Sequence, residues 1–127
     1  MNNIININGK IYELKYDYKD NDKLRESLNN LTEKTYGFNF EKWYQDGYWG
    51  KLYIPYSLTF DNKVVANVSV NIIDFYVLGE KKKYIQLGTI MTDKDYRNQG
   101  LSKALIDIVL EEWENKCDMI YLLDRKS

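Results

Sequence analysis

The sequence predicts a mixed α+β or α/β fold, a central sheet of both strand orientations with helices flanking it. Three observations lead there. From Leu52 to Thr92 apolar residues recur at a strand period, broken by turn-forming segments at Asp61-Asn62-Lys63 and Gly79-Glu80-Lys81-Lys82-Lys83, as in an antiparallel meander. The stretch Tyr84 to Glu114 reads as a strand, a polar turn with one glycine, and a helix. Met119 to Leu123 reads as one more strand. A right-handed strand-helix-strand crossover would set it parallel to the strand at Tyr84.

The chain has 127 residues, enough for a single domain over 1–127 with a real core. Its formal net charge of −1 points away from nucleic acid. No run of eighteen apolar residues offers a membrane span, and Met1-Asn2-Asn3-Ile4 lacks the basic and apolar regions of a signal peptide. Cys117 is the single cysteine, so no internal disulfide forms and a cytoplasmic location is the expectation. The absence of histidine excludes Ser-His-Asp and Cys-His catalysis within the chain and leaves no His/Cys cluster for zinc, so no metal is expected. The twelve tyrosines accompany an abundance of Asn, Lys and Ile. A compositional bias explains them as well as a binding code would.

In chain order, Gly9 to Tyr18 alternates at period two and predicts a first strand. Asp20, Asn21 and Asp22 offer helix N-caps. Leu24, Leu28 and Leu31 then mark one buried helical stripe, which Gly37 ends. Asn39 is placed to cap a short second helix carrying Phe40, Trp43 and Tyr44, ended by Gly47. Those aromatics read first as packing. In the strand Tyr53 to Phe60, Pro55 suits a strand start or an edge. Ala66, Val68, Val70 and Ile72 alternate with Asn67, Ser69 and Asn71, which predicts a half-buried strand with one polar face. The lysines of the second turn read as a solvated hairpin tip. Gly88 in mid-strand predicts a bulge or a close backbone approach. In the helix from Leu101, the residues Leu101, Ala104, Leu105, Ile108 and Val109 fall on one side. Ile106, Leu110 and Trp113 extend that surface, so cover on more than one side is expected.

The chemistry concentrates where the strand from Tyr84 feeds this helix. A glycine at such a junction lets backbone approach a ligand, and the free N–H groups of a helix start favour an anion. Arg97 to Ser102 is therefore a candidate phosphate seat. It lacks the Gly-Lys-Ser/Thr of a Walker loop and the three spaced glycines of a dinucleotide fingerprint. What remains is Arg97-x-x-Gly100-x-Ser102 after a strand, with Gly88-Thr89-Ile90-Met91-Thr92 and Asp95-Tyr96-Arg97 before it and Ala104-Leu105 behind it.

This constellation resembles the acyl-CoA loop of the GNAT N-acetyltransferase family, Gln/Arg-x-x-Gly-x-Gly/Ala. Ser102 replaces the usual Gly or Ala, and Lys94 stands where many members have proline; neither removes a backbone donor. The resemblance implies the family's acyl-CoA N-acyltransferase fold, covered here over its first two-thirds and lacking the usual C-terminal helix and last two strands. The chain would then be a fragment or a naturally short relative. It also implies acetyl-CoA as co-substrate, held by Ile90, Met91, Thr92, Arg97, Asn98, Gln99, Gly100, Leu101 and Ser102, mostly through backbone groups. The acceptor would be a small-molecule or peptide amine, with Tyr36 to Trp49 near its site. No general base is assigned: Asp74, Gln86 and Glu80 read as structural polar groups. Tyr121 does not match the position of the family's leaving-group acid. The alternative is a non-catalytic acyl-CoA-binding or dimerising module, in which a second copy covers the apolar helix.

Overall fold

The computed structural model describes residues 3–122. The expected strand residue Leu123 and the segment Asp124 to Ser127 lie outside the described residues. Six strands form one sheet in sequence order: β1 (Ile4–Ile7), β2 (Lys10–Tyr16), β3 (Tyr53–Phe60), β4 (Lys63–Val77), β5 (Glu80–Thr92) and β6 (Met119–Leu122). All neighbours are antiparallel except β5 and β6, which run parallel through the crossover helix α3 (Leu101–Trp113). Helices α1 (Asp22–Tyr36) and α2 (Glu41–Gln45) lie between β2 and β3 in the chain.

Local chemistry accounts for most boundaries. Asn21 caps α1 by accepting the Leu24 N–H, and Gly37 ends it at φ 82. Asp61 and Asn62, at φ 55 and 63, make the tight β3–β4 hairpin. Pro55 sits inside β3 opposite Ser69, but pairing with β2 stops at Tyr16↔Tyr56, so its missing N–H breaks no ladder.

The first strand is preceded by another. Ile4–Ile7 folds back on Lys10–Tyr16 through Asn8-Gly9, a hairpin too short and asparagine-rich to stand out in the sequence. The second tip is Leu78-Gly79, earlier than expected. The three lysines already belong to β5, where Lys83 pairs with Asp74 at 3.1 Å and Lys82 with Glu80 at 3.4 Å.

Both sheet faces are covered. On one, α3 lays Leu101, Leu105 and Val109 against Val68, Val70, Ile85 and Leu87. Of the residues that extend that surface, Ile106 and Trp113 also pack against this core, and Leu110 stays exposed. On the other face, α1 lays Leu28 and Leu31 against Val64 and Met91, with Trp49 and Tyr53 beside them. This corrects the half-buried reading of β4. Its polar face is not solvated: Asn67 and Ser69 are fully buried beneath α1, since helix and aromatics cover that face and side-chain hydrogen bonds replace water.

Candidate functional site

Two irregularities shape the end of β5. Asn67 pairs with Met91 but Ser69 pairs with Gly88, so three steps of β5 answer two of β4. This is the bulge that Gly88 foretold, and its extra residue places Thr89 at φ 47. A Cβ on Gly88 would stand 3.3 Å from the Asn71 side-chain nitrogen, so the close approach is real as well. Secondly, β6 pairs with β5 only from Tyr84 to Leu87. Among the described residues, no strand covers that side of β5 from Gly88 to Thr92.

The direction of the backbone groups there follows from one bond. The Asp93 N–H donates to Val65 O at 2.8 Å, so Asp93 and Met91 face β4, and Ile90 and Thr92 face the open side. Two side chains confirm it from that side: the Tyr36 hydroxyl donates to Ile90 O at 3.0 Å, and Arg97 Nε donates to Thr92 O at 3.2 Å.

Beyond β5, Asp93 accepts the Asp95 N–H at 3.0 Å and starts a single 3-10 turn, Lys94–Tyr96. Asp93 is buried. The Asp95 amide holds its carboxyl below the usual range despite the opposing effect of burial, and Lys63 at 3.5 Å adds to the lowering. Asn98 and Gly100 both take left-handed backbone, φ 63 and 79, and Gly100 leads into α3. The first helical bond is Ala104 N–H to Gly100 O, leaving the N–H groups of Leu101, Ser102 and Lys103 without a helical acceptor. A Cβ on Gly100 would meet no atom within 4 Å, so the space over this helix start is open. A cavity of about 370 Å³ adjoins the loop, with Lys34, Thr92, Asp93 and Arg97 in its wall.

The structure thus gathers the sequence-derived residues at one place but gives them different parts. Ile90 and Thr92 offer backbone to the open side. Met91 and Leu101 are buried on opposite faces of the sheet and can offer only main chain. Arg97 and Asn98 are exposed. The Ser102 hydroxyl lies 2.8 Å from that of Thr92, tying helix start to strand end. The Gln99 side chain accepts the Tyr12 hydroxyl at 3.1 Å, and its carbonyl accepts Asn8 Nδ2 at 3.3 Å. Those anchors come from the N-terminal hairpin, and nothing local in the sequence signals them. In the Tyr36 to Trp49 segment, Phe40, Trp43, Tyr44 and Trp49 pack on one another, while Tyr36 and Phe38 stack at 5.8 Å and stay exposed. Among the described residues, no group of His, Cys, Asp and Glu is placed to hold a metal ion, and no helix is long and apolar enough to cross a membrane.

Comparison with known proteins bears on the fold and the family. No curated protein matches the sequence. An acetyltransferase of Trypanosoma brucei superposes with a TM-score of 0.73 at 19% identity, over 91% of this chain and 84% of that one. An aminoglycoside acetyltransferase from an uncultured soil metagenomic sample, in complex with sisomicin, gives 0.71 at 16% over 91% and 78%. A predicted acetyltransferase from Clostridium acetobutylicum, with acetyl-CoA, gives 0.67 at 14% over 91% and 82%. At these identities the likeness shows the fold. The model of the acetyltransferase (GNAT) family matches residues 11–126. With that match spanning nearly its whole length, the chain belongs to the GNAT acetyltransferase family.

Proposed function

We propose that this protein is an acetyl-CoA-dependent N-acetyltransferase acting on a primary amine. The observation that carries the reading is the open side of β5, where Ile90 and Thr92 present backbone groups beside a helix start with free N–H groups. The residues present fit the co-substrate. Gly100 leaves room for a pyrophosphate, and the amides of Asn98 to Ser102 with the Arg97 guanidinium supply donors for it. The exposed edge of Ile90 and Thr92 suits the amides of a pantetheine arm, added as a further strand. A family neighbour with acetyl-CoA supports the donor.

Bound acetyl-CoA supplies the acyl group as a thioester. The chain's own part would be to orient that thioester at the bulge and donate the outward Ile90 N–H to its carbonyl oxygen, where negative charge would grow as the amine nitrogen bonds the acyl carbon. The C–S bond would then break and CoA would leave as a thiol, its proton taken from water. The amine must be neutral to attack; an alkylamine with pKa near ~10.4 has to shed a proton, which leaves through water or a base. Asp74 and Glu80, engaged with Lys83 and Lys82, are not placed in that role. The acceptor reading is a small-molecule or peptide amine entering past Tyr36 and Phe38, supported by the neighbour that holds sisomicin. A single domain over 1–127 in the cytoplasm completes the reading, supported by the lone cysteine.

The test is isothermal titration of acetyl-CoA into wild type and Gly100→Glu, which puts a side chain and a negative charge into the open space. Binding by wild type alone, followed by turnover in an amine screen, is the expected result. Failure of wild type to bind overturns the reading. Binding without turnover, with a dimer seen by light scattering, favours the non-catalytic module. The exposed Leu110, Met119 and Leu122 are the observation on its side.

A further inference from the structure

Under the bulge, on the face covered by α1, lies a continuous chain of side-chain hydrogen bonds. Ser57 Oγ donates to Asn67 Oδ1 at 2.8 Å, so the Tyr18 hydroxyl, 2.7 Å away, donates to Ser57. Asn67 Nδ2 donates to Ser69 Oγ and to Thr89 O, both at 2.9 Å. Ser69 Oγ donates to the Tyr53 hydroxyl at 2.8 Å, and Tyr53 donates to Thr89 Oγ1 at 3.3 Å. Two arms of one network therefore close on Thr89, one on its carbonyl and one on its side chain.

Thr89 is the residue that needs holding. It is β-branched and sits at φ 47, a conformation such residues rarely adopt. Its position decides which way Ile90 points. Gly88 lies opposite Ser69; without the extra residue of the bulge, Ile90 would fall opposite Asn67 and turn its backbone groups into the sheet. The left-handed Thr89 is what leaves Met91 in that place and sends the Ile90 N–H and C=O to the open side.

A proton relay is the other use for such a chain, and its chemistry argues against that. It contains no carboxylate, burial raises the pKa of both Tyr18 and Tyr53, and the outer end at Tyr18 is itself buried. Every donor is committed toward Thr89.

We propose that Asn67, Ser69 and Tyr53 are positioning residues for acyl transfer, gripping Thr89 at both ends so that the Ile90 N–H faces the thioester. This rests on the N-acetyltransferase reading, and the experiment separates the two. Tyr53→Phe removes one grip with the ring retained, and Asn67→Ala removes the other. In the free protein, amide exchange of Met91, which faces β4, is expected to speed up at least tenfold in Tyr53→Phe while Tyr12 and Val68 amides change little. With bound acetyl-CoA labelled at the carbonyl carbon, the wild-type carbon resonance should be displaced downfield of free acetyl-CoA, and each variant should bring it back toward the free value. CoA without the acetyl group should bind the variants within about tenfold of wild type, the worth of the one pantetheine contact at Ile90, because the Thr92 edge and the start of α3 are untouched.

Unchanged Met91 exchange and an unchanged carbonyl shift in Tyr53→Phe overturn the proposal. Should Asn67→Ala not fold, Tyr53→Phe decides alone. Wild type that binds no acetyl-CoA overturns the N-acetyltransferase reading instead, and Met91 exchange still shows whether the network holds the bulge.

Discussion

Gly100 and Gly37 form a matched pair that separates the cost of a backbone conformation from the loss of a ligand contact. Both are left-handed, at φ 79 and 82, and a Cβ at either meets nothing within 4 Å. Gly37 ends α1, whereas Gly100 begins α3 at the proposed pyrophosphate seat. An alanine at either position therefore pays the same conformational penalty and no steric one, about 1–2 kcal/mol. For 127 residues the unfolding entropy is on the order of 270 cal/mol/K, so each variant should lower Tm by about 4–8 °C. Their effects on acetyl-CoA should differ. At Gly100 the methyl occupies the space that lets phosphate reach the amides, and losing one charge-assisted bond costs about 1.5–3 kcal/mol, roughly 10- to 150-fold in Kd. At Gly37 affinity should stay within about twofold of wild type. Thermal melts and isothermal titration of both variants give the answer. Equal affinity losses, or a Gly100→Ala protein that melts early yet binds like wild type, would refute the assignment of the phosphate to this loop.

Tyr36→Phe frees Ile90 O of the hydroxyl it accepts at 3.0 Å, a competitor for the added strand. Affinity for acetyl-CoA should rise by up to about tenfold, the worth of one exposed hydrogen bond, and titration of the variant checks it. Arg25 is buried, bonded to Glu41 and Asp22, with its guanidinium 3.8 Å over the Tyr44 ring. Arg25→Ala should cost about 2 kcal/mol, below the usual figure for a broken buried pair because Glu41 is half-exposed and regains water; chemical denaturation measures it. Asp93 has its carboxyl pKa lowered in the fold, so its stabilisation is present above the unfolded value near ~3.9 and is lost as pH falls through the lower folded value. Asp93→Asn should melt earlier than wild type at pH 7, and the gap should close below about pH 4 in a pH series of melts.

The strand-loop-helix at Tyr84 to Glu114 was legible because each of its signals is local: a run of strand formers, a break, a glycine, and a 3.6-residue stripe. Gly88 likewise announced the bulge. Signals that depend on what lies across the sheet were not legible. Asn67 and Ser69 look like any solvated alternation until α1 is laid over them, since the pattern reports polarity and not cover. Nothing local marks Arg25 as buried, because the partner that holds it inward, Glu41, is sixteen positions away. The Tyr12 and Asn8 anchors of Gln99 span even greater separations. The bulged residue itself, Thr89, was hidden by its type: a β-branched side chain argues for regular strand, and only the two hydrogen bonds under it explain how it tolerates a left-handed backbone.

That division also explains how a chain 14–19% identical to its structural neighbours keeps their fold. The groups that face the open side of β5 and the start of α3 are amides and carbonyls, which every residue but proline supplies in full. Selection on such a site acts on backbone position, and many side-chain sets can enforce one position. In this chain, the set is the Tyr18-to-Thr89 network below the bulge, the Thr92–Ser102 hydroxyl pair at the strand end, and Tyr12 with Gln99 behind the loop. Tyr18, Ser57, Asn67, Ser69 and Tyr53 of that network are buried and stay off the open side. Variation in them should therefore surface as a misplaced N–H, read in thioester polarisation and amide exchange, before it surfaces as a lost contact with the rest of the co-substrate.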